Sequence, residues 1–224
     1  MGIKLWVALD VPELPAAERL LKTIAPHRDI KVGMELFYRL GPDFVRDLVD
    51  RGYHIFLDLK CHDIPRTVAR AVEAVSDLGA ELLTVHAAGG FDMLEAARGS
   101  SGGQLSLVAV TVLTSLDAAA LQQVGIETPV DGLAEASART AMRAGLAGVV
   151  ASAGEARAIK AIWPGARIVV PGIRLPDTQA GDQKRVFTPD QAKAAGATDL
   201  VVGRPISEAD SPKRALEQFL ERLG

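Results

Sequence analysis

His54-Ile55-Phe56-Leu57-Asp58-Leu59-Lys60-Cys61-His62-Asp63-Ile64-Pro65-Arg66-Thr67 changes character in its middle. The first half is an apolar run rich in strand formers. The second half is polar and carries a proline at a natural helix start, ahead of the amphipathic segment Thr67–Leu78. This is one strand followed by one helix, and the same succession recurs along the chain. Strands are predicted at Leu5–Asp10, Ile30–Gly33, His54–Lys60, Leu82–His86, Leu105–Leu113, Gly148–Ser152, Arg167–Pro171 and Leu200–Gly203. Most are continuous apolar runs, as parallel strands buried on both faces require. Amphipathic segments at Leu14–Ile24, Pro42–Asp50, Gly132–Arg143 and Thr188–Ala195 lie between them. A final helix is expected over Pro212–Leu223, with Ser211 as N-cap and Pro212 at the first helical position.

Eight strand–helix units within 224 residues predict a compact (β/α)8 barrel. A doubly wound open sheet commonly has fewer strands, and no Gly-x-Gly-x-x-Gly follows the first strand. No linker, low-complexity tract or composition break divides the chain, so residues 1–224 are read as one barrel domain. Gly99-Ser100-Ser101-Gly102-Gly103 reads as a flexible turn before the fifth strand. The polar segment Leu175–Val186, after the seventh strand, is the natural candidate for an active-site lid.

A chain 48% hydrophobic and 24% charged can bury a large core, which fits a soluble globular protein. Its net charge of −3 provides no basic field for nucleic acid. The lone cysteine, Cys61, excludes an internal disulfide framework and points to a reducing compartment. The start Met1-Gly2-Ile3-Lys4-Leu5-Trp6 runs into a strand pattern without signal-peptide architecture, and no apolar run reaches membrane-spanning length. A cytoplasmic location is expected.

Barrel strands deliver the residues at their C-terminal ends to one mouth. Here these are Asp10, Lys31, Asp58, Lys60, Asp63, His86, Thr114, Ser115, Arg174, Gly203 and Arg204. Asp58 and Lys60, two apart on a strand, are expected to project to the same side. A carboxylate beside an ammonium favours its charged form. Such a cation can stabilise negative charge developing on carbon and then deliver a proton to it. Lys31 stands inside the otherwise apolar Ile30-Lys31-Val32-Gly33, so it belongs with the same network. Opposite, Pro171-Gly172-Ile173-Arg174 and Val201-Val202-Gly203-Arg204 place glycine-backed arginines on the loops after strands seven and eight. Those loops are the usual phosphate site of this architecture. His86, followed by Gly89-Gly90, reads as a hydrogen-bonded structural residue, and Cys61 as a packing residue. No His, Cys or carboxylate cluster has metal-ligand spacing.

Taken together, Lys31, Asp58-x-Lys60-x-x-Asp63-Ile64-Pro65, Pro171-Gly172-Ile173-Arg174 and Val202-Gly203-Arg204 resemble the orotidine 5′-phosphate decarboxylase family. The resemblance runs from Ala8-Leu9-Asp10 to Gly203-Arg204. It includes Val110-Thr111-Val112-Leu113-Thr114-Ser115 and Asp182-Gln183-Lys184-Arg185. It implies cofactor-independent decarboxylation of orotidine 5′-monophosphate to UMP and CO2, a carbon–carbon lyase step of de novo pyrimidine synthesis. By the resemblance, Lys60 matches the lysine that protonates the C6 carbanion, and Asp58 the carboxylate beside the substrate carboxylate. Lys31 matches the first lysine of the Lys-Asp-Lys-Asp network. Asp63 matches an aspartate contributed to the neighbouring subunit's site, which implies a homodimer. Asp10 and Thr67 match ribose-side contacts, Thr114 the pyrimidine contact, and Ile64 joins the substrate-binding set. Arg174, Gln183, Gly203 and Arg204 match the phosphate clamp.

Two positions depart from the commonest bacterial pattern: Cys61, where a bulkier residue is frequent, and Arg66, where asparagine is frequent. Both bear on local packing. The nearest rivals, Mg²⁺-dependent sugar-phosphate decarboxylases and hexulose-phosphate aldolases, also resemble the chain in Asp-x-Lys-x-x-Asp. They carry an acidic residue where Lys31 stands and lack the Ile64-Pro65 continuation. A catalytically silent nucleotide-binding protein would have lost a network member, yet Lys31, Asp58, Lys60 and Asp63 are all present. Decarboxylation is therefore expected to be unchanged after exhaustive chelation. Activity that vanishes in EDTA and returns with Mg²⁺ would place the chain with the sugar-phosphate enzymes.

Overall fold

The computed structural model describes residues 2–176 and 186–224. The chain opens with β1 (Lys4–Ala8), α1 (Leu14–Thr23), β2 (Asp29–Gly33) and α2 (Met34–Asp50). It continues through β3 (His54–Cys61), α3 (Pro65–Ser76), β4 (Leu82–His86), α4 (Gly90–Gly99) and β5 (Ser106–Val110). Two helices, α5 (Ala118–Gln123) and α6 (Val130–Arg143), separate β5 from β6 (Gly148–Val150). There follow α7 (Ala153–Ile162), β7 (Arg167–Val170), α8 (Pro189–Ala195), β8 (Asp199–Val202), α9 (Arg204–Ser207) and α10 (Pro212–Glu221). Each strand pairs in parallel with the next, and β8 closes on β1 with Lys4 opposite Asp199 and Val7 opposite Val202. The expected (β/α)8 barrel is formed, and the open-sheet alternative is excluded by that closure.

Strand side chains alternate between the helices and the barrel interior. The outward residues, such as Val7, Ile30, Ile55 and Leu83, are fully buried against the helical ring. The inward ones stack in layers. A middle layer of Trp6, Phe56, Leu82, Val108 and Val169 fills the interior, with Trp6 and Phe56 edge-to-face at 5.6 Å. This plug separates two charged ends, with Lys4 and Arg167 one step below Trp6 and Val169, and Asp58 one step above Phe56.

At the N-terminal floor, Arg167 grips Asp199 through Nε at 3.0 Å and Nη2 at 2.7 Å, and reaches Glu81 at 2.9 Å. Trp6 Nε1 donates to Asp199 Oδ1 at 2.8 Å, and the Thr198 hydroxyl donates to Oδ2 at 2.7 Å. Lys4 joins this ring to Asp29 at 3.1 Å. Every carboxylate here has a fixed donor, which is what allows charge to sit beneath an apolar core.

Several local expectations are refined. Strands 1, 5 and 6 end two or three residues earlier than predicted, because their last residues leave the ladder to form the mouth. The helix expected from Pro42 begins at Met34 and is interrupted at Gly41, whose φ of 73° breaks the turn just before Pro42. Proline cannot donate to the preceding turn, so the break falls where the chain loses that bond. Ser211 does occupy the N-cap of α10, but its hydroxyl makes no capping bond. The turn after α4 is tied down: the Ser101 hydroxyl donates to Arg98 O at 3.0 Å, and Ser101 is buried. Most of the expected lid, residues 177–185, lies outside the described residues. Its flanks meet at the mouth, where Ile173 and Phe187 form a parallel bridge and Arg174 N donates to Phe187 O at 2.9 Å.

The floor network generates a stability prediction. Asp199→Ala leaves the Arg167 guanidinium and Trp6 N–H without their buried acceptor and should cost about 3–5 kcal/mol. Urea denaturation at fixed protein concentration measures it, and a loss of about 1 kcal/mol or less would show the network to be as weak as an exposed ion pair.

Candidate active site

The mouth is organised by an irregularity in β3. Phe56 and Leu57 pair with Leu82 and Leu83 of β4, but the register then shifts, so that Cys61 faces Val85. Lys60 lies within this bulge and has φ 49°, the sole positive φ at a non-glycine among the described residues. Its backbone N–H donates to the Thr84 hydroxyl at 2.7 Å. Bulges of this kind re-aim side chains beside active sites. The Lys60 Nζ thereby lies 2.8 Å from Asp58 Oδ1. The two side chains do converge, as expected, but through the bulge and not through simple strand alternation.

A chain of opposite charges follows across β3, β2 and β1. Lys31 Nζ lies 3.5 Å from Asp58 Oδ2 and 2.9 Å from Asp10 Oδ1. The Thr84 hydroxyl donates to Asp58 Oδ1 at 3.0 Å. Burial of Lys31 favours its neutral form, but attraction from Asp58 and Asp10 outweighs this and raises its pKa. Burial likewise pushes the Asp58 carboxyl up. The charges of Lys31 and Lys60, with hydrogen bonds from Lys60 and Thr84, bring it below its ordinary value. Both groups therefore stay ionised at neutral pH. Gly33 leaves room for the pairing: a Cβ there would stand 3.0 Å from Lys31 Nζ and 3.1 Å from Asp10 Oδ1.

Asp10, Lys31, Asp58 and Lys60 line one side of a cavity of about 420 Å³, the size of small-molecule sites. Thr114 and Ser115 border it beyond β5, and Gly172, Arg174, Gly203, Arg204 and Glu208 form the opposite wall. Arg174 is buried, and its Nη1 donates to Ile173 O at 2.9 Å. Burial lowers its pKa, the neighbouring Arg204 lowers it further, and Glu208 opposes both. Two arginines held this near each other suit a multiply charged anion. Gly203 permits the close approach of this wall to the charged one, since a Cβ there would meet Asp10 Oδ2 at 3.3 Å.

The remaining candidates fall elsewhere. Asp63 is exposed, outside the cavity lining, and its Oδ1 accepts from Ile64 N at 2.7 Å. Ile64, 66% exposed, and Thr67 lie with it on the outer rim at the start of α3. Gln183 lies outside the described residues. His86 is also off the cavity lining: its ring stacks on His62 at 5.2 Å, and its Nδ1 accepts from Ala88 N at 3.3 Å. Burial lowers its pKa, with His62 and Lys60 adding to the effect. Cys61 packs against the main core, where burial raises its thiol pKa. Among the described residues, no group of three or more His, Cys, Asp or Glu side chains could hold a metal ion. No described helix is long and apolar enough to cross a membrane.

Two residues of the site escaped the sequence reading. Thr84 carries a hydroxyl inside the apolar Leu82-Leu83-Thr84-Val85, a visible signal. Glu208 follows Arg204 by four residues, a spacing that brings side chains together on a helical turn.

Residues 4–219 match the model of the family described as Orotidine 5′-phosphate decarboxylase / HUMPS. The chain is 45% identical over 219 residues to an orotidine 5′-phosphate decarboxylase of Pseudoalteromonas translucida, covering 95% of this chain and 94% of that one. It is 46% identical to one from Legionella pneumophila, with full coverage of both chains. A crystal structure of orotidine 5′-phosphate decarboxylase from Lactobacillus acidophilus superposes with a TM-score of 0.87 at 35% identity, covering 99% of each chain.

Proposed function

The chain belongs to the orotidine 5′-phosphate decarboxylase / HUMPS family, and we propose that it decarboxylates orotidine 5′-monophosphate to UMP and CO2 in pyrimidine biosynthesis, with Lys60 as the proton donor. The observation that carries this reading is the Asp10–Lys31–Asp58–Lys60 charge chain facing two arginines across one cavity. Sugar-phosphate enzymes resemble the chain in the Asp-x-Lys-x-x-Asp motif. Lys31 argues against them, since a buried cation fills the place where the resemblance gives those enzymes an acid. The curated relatives reported above are named as decarboxylases.

Arg174 and Arg204 grip the phosphate, with Gly203 allowing backbone approach and Gln183 completing the clamp. Asp10 and Thr67 contact the ribose side, Lys31 begins the charge network beside it, and Thr114 contacts the pyrimidine. The substrate carboxylate then lies beside Asp58. Breaking the bond from C6 to the carboxylate releases CO2 and leaves the electron pair on C6. The Lys60 ammonium, held at that position before the bond breaks, stabilises the carbanion electrostatically and transfers a proton to it. Solvent then reprotonates Lys60. The phosphate contacts, remote from C6, supply binding energy that can be used for closure at the mouth. The reaction needs no cofactor, and residues 1–224 act as one catalytic domain in the cytoplasm.

Asp63, Ile64 and Thr67 have no place in their own chain's cavity, which supports their serving the site of a second copy. Exposed Met34 and Tyr38 on the neighbouring helix α2, together with Ile64, give that rim an apolar surface for a homodimer.

Two experiments test these roles. Lys60→Ala removes the cation and the proton donor together, so turnover should fall well beyond the ~10²–10³ typical of losing one oxyanion donor. A variant keeping a tenth of wild-type turnover would remove Lys60 from the mechanism. For the shared site, Asp63→Ala and Lys60→Ala homodimers should each be nearly inactive. Mixing them with subunit exchange should restore about a quarter of wild-type activity, because random pairing makes half the dimers mixed, each with one complete site. If both are dimeric and exchange, yet nothing returns, Asp63 acts within its own chain.

A further inference from the structure

We propose that Thr84 is a positioning residue for the reaction: its hydroxyl fixes Lys60 at both ends, directly at the backbone and through Asp58 at the ammonium. The inference rests on the proton-donor role proposed above for Lys60. Thr84 is fully buried and lies behind Asp58 and Lys60, outside the cavity lining. It cannot touch substrate from there.

A single hydroxyl accepts the Lys60 N–H at 2.7 Å and donates to Asp58 Oδ1 at 3.0 Å. The same Oδ1 accepts the Lys60 ammonium at 2.8 Å. Thr84, the Lys60 backbone, the Lys60 Nζ and Asp58 therefore form a closed ring of contacts. The ring spans the register shift of β3, where the ordinary ladder bonds to β4 are interrupted. Lys60 needs such a constraint because its φ of 49° is disfavoured for a residue with a side chain. Released to the ordinary extended region, Lys60 would point its side chain elsewhere. The hydroxyl is not required by the barrel: Thr84 pairs in register with Val108 between apolar neighbours, and valine has the same shape and suits a strand equally well. Its donor bond also favours the ionised form of Asp58, the anion that holds Lys31 and Lys60 together.

Thr84→Val and Thr84→Ser, compared with wild type and Lys60→Ala, test this. Rates are referred to protein with wild-type secondary structure by circular dichroism, and Thr84→Ala replaces Thr84→Val if the latter fails to fold. Thr84→Val should lower kcat by about 10- to 100-fold, the scale of losing one hydrogen bond to a charged group. KM should stay near the wild-type value, since the phosphate wall is untouched. The acid limb of the kcat–pH profile should move to higher pH, because Asp58 loses a donor to its charged form. Thr84→Ser keeps the hydroxyl and should restore both rate and profile. Wild-type kcat in Thr84→Val, an unmoved acid limb, or a serine variant as impaired as the valine one would each overturn the positioning role. Lys60→Ala separates the two ideas: if it retains turnover, the donor assignment fails first, whereas an inactive Lys60→Ala beside a fully active Thr84→Val sinks the Thr84 inference alone.

Discussion

Asp58 is shared between two ammonium groups, and the rest of the mouth depends on that sharing. Its Oδ1 faces Lys60 and its Oδ2 faces Lys31, while Asp10 holds Lys31 from the other side. Burial opposes the charged form of both Lys31 and Asp58. Mutual attraction reverses that preference only while all members are present, because a buried charge without its partner is costly. The arrangement therefore fixes geometry and charge state together. A cation placed at a reacting carbon before the bond breaks needs no reorganisation in the transition state, which is where electrostatic catalysis draws its advantage.

The floor of the barrel shows the same ingredients used for another end. Arg167, Asp199, Glu81 and Lys4 also alternate in sign, but their donors and acceptors are turned on one another beneath the Trp6–Phe56 layer. At the mouth, the charges instead line a cavity. Both clusters descend from the two-residue period of the strands, which sets His54 and Asp58 on either side of Phe56 along one strand face, Lys4 below Trp6, Arg167 below Val169 and Thr84 above Leu82. This matches the division of (β/α)8 barrels into a stabilising N-terminal face and a chemically active C-terminal face.

The cavity is polarised across its width. Arg174 is buried with Arg204 as its neighbour, so an anion arriving there relieves a repulsion as well as forming new bonds. The opposite wall carries alternating charges already paired. The two walls are thus different kinds of surface, one with two arginines side by side and one with its opposite charges interleaved. Binding energy gathered at the first can be used at the second.

The sequence by itself determined the barrel. Buried parallel strands must read as continuous apolar runs and the helices between them as amphipathic, so Leu5, Ile30 and Leu82 announce their strands locally. It also marked Lys31, Asp58 and Lys60, because a charge inside an apolar run is conspicuous, and the glycine-backed Arg174 and Arg204. Along α2, the Gly41-Pro42 pair hid the helical turns before it, since a local breaker looks the same whether it starts a helix or kinks one. Only the tertiary structure decided the rest. The floor joins Trp6 to Asp199 across nearly the whole chain, and Lys60 meets Thr84 on the neighbouring strand. The same is true of the bulge that aims Lys60 and of the placement of Asp63 outside its own cavity. Such contacts arise from the pairing of strands, β3 with β4 and β8 with β1, which sets residues distant in sequence at hydrogen-bond range, and no local pattern encodes which hydroxyl will face which backbone N–H.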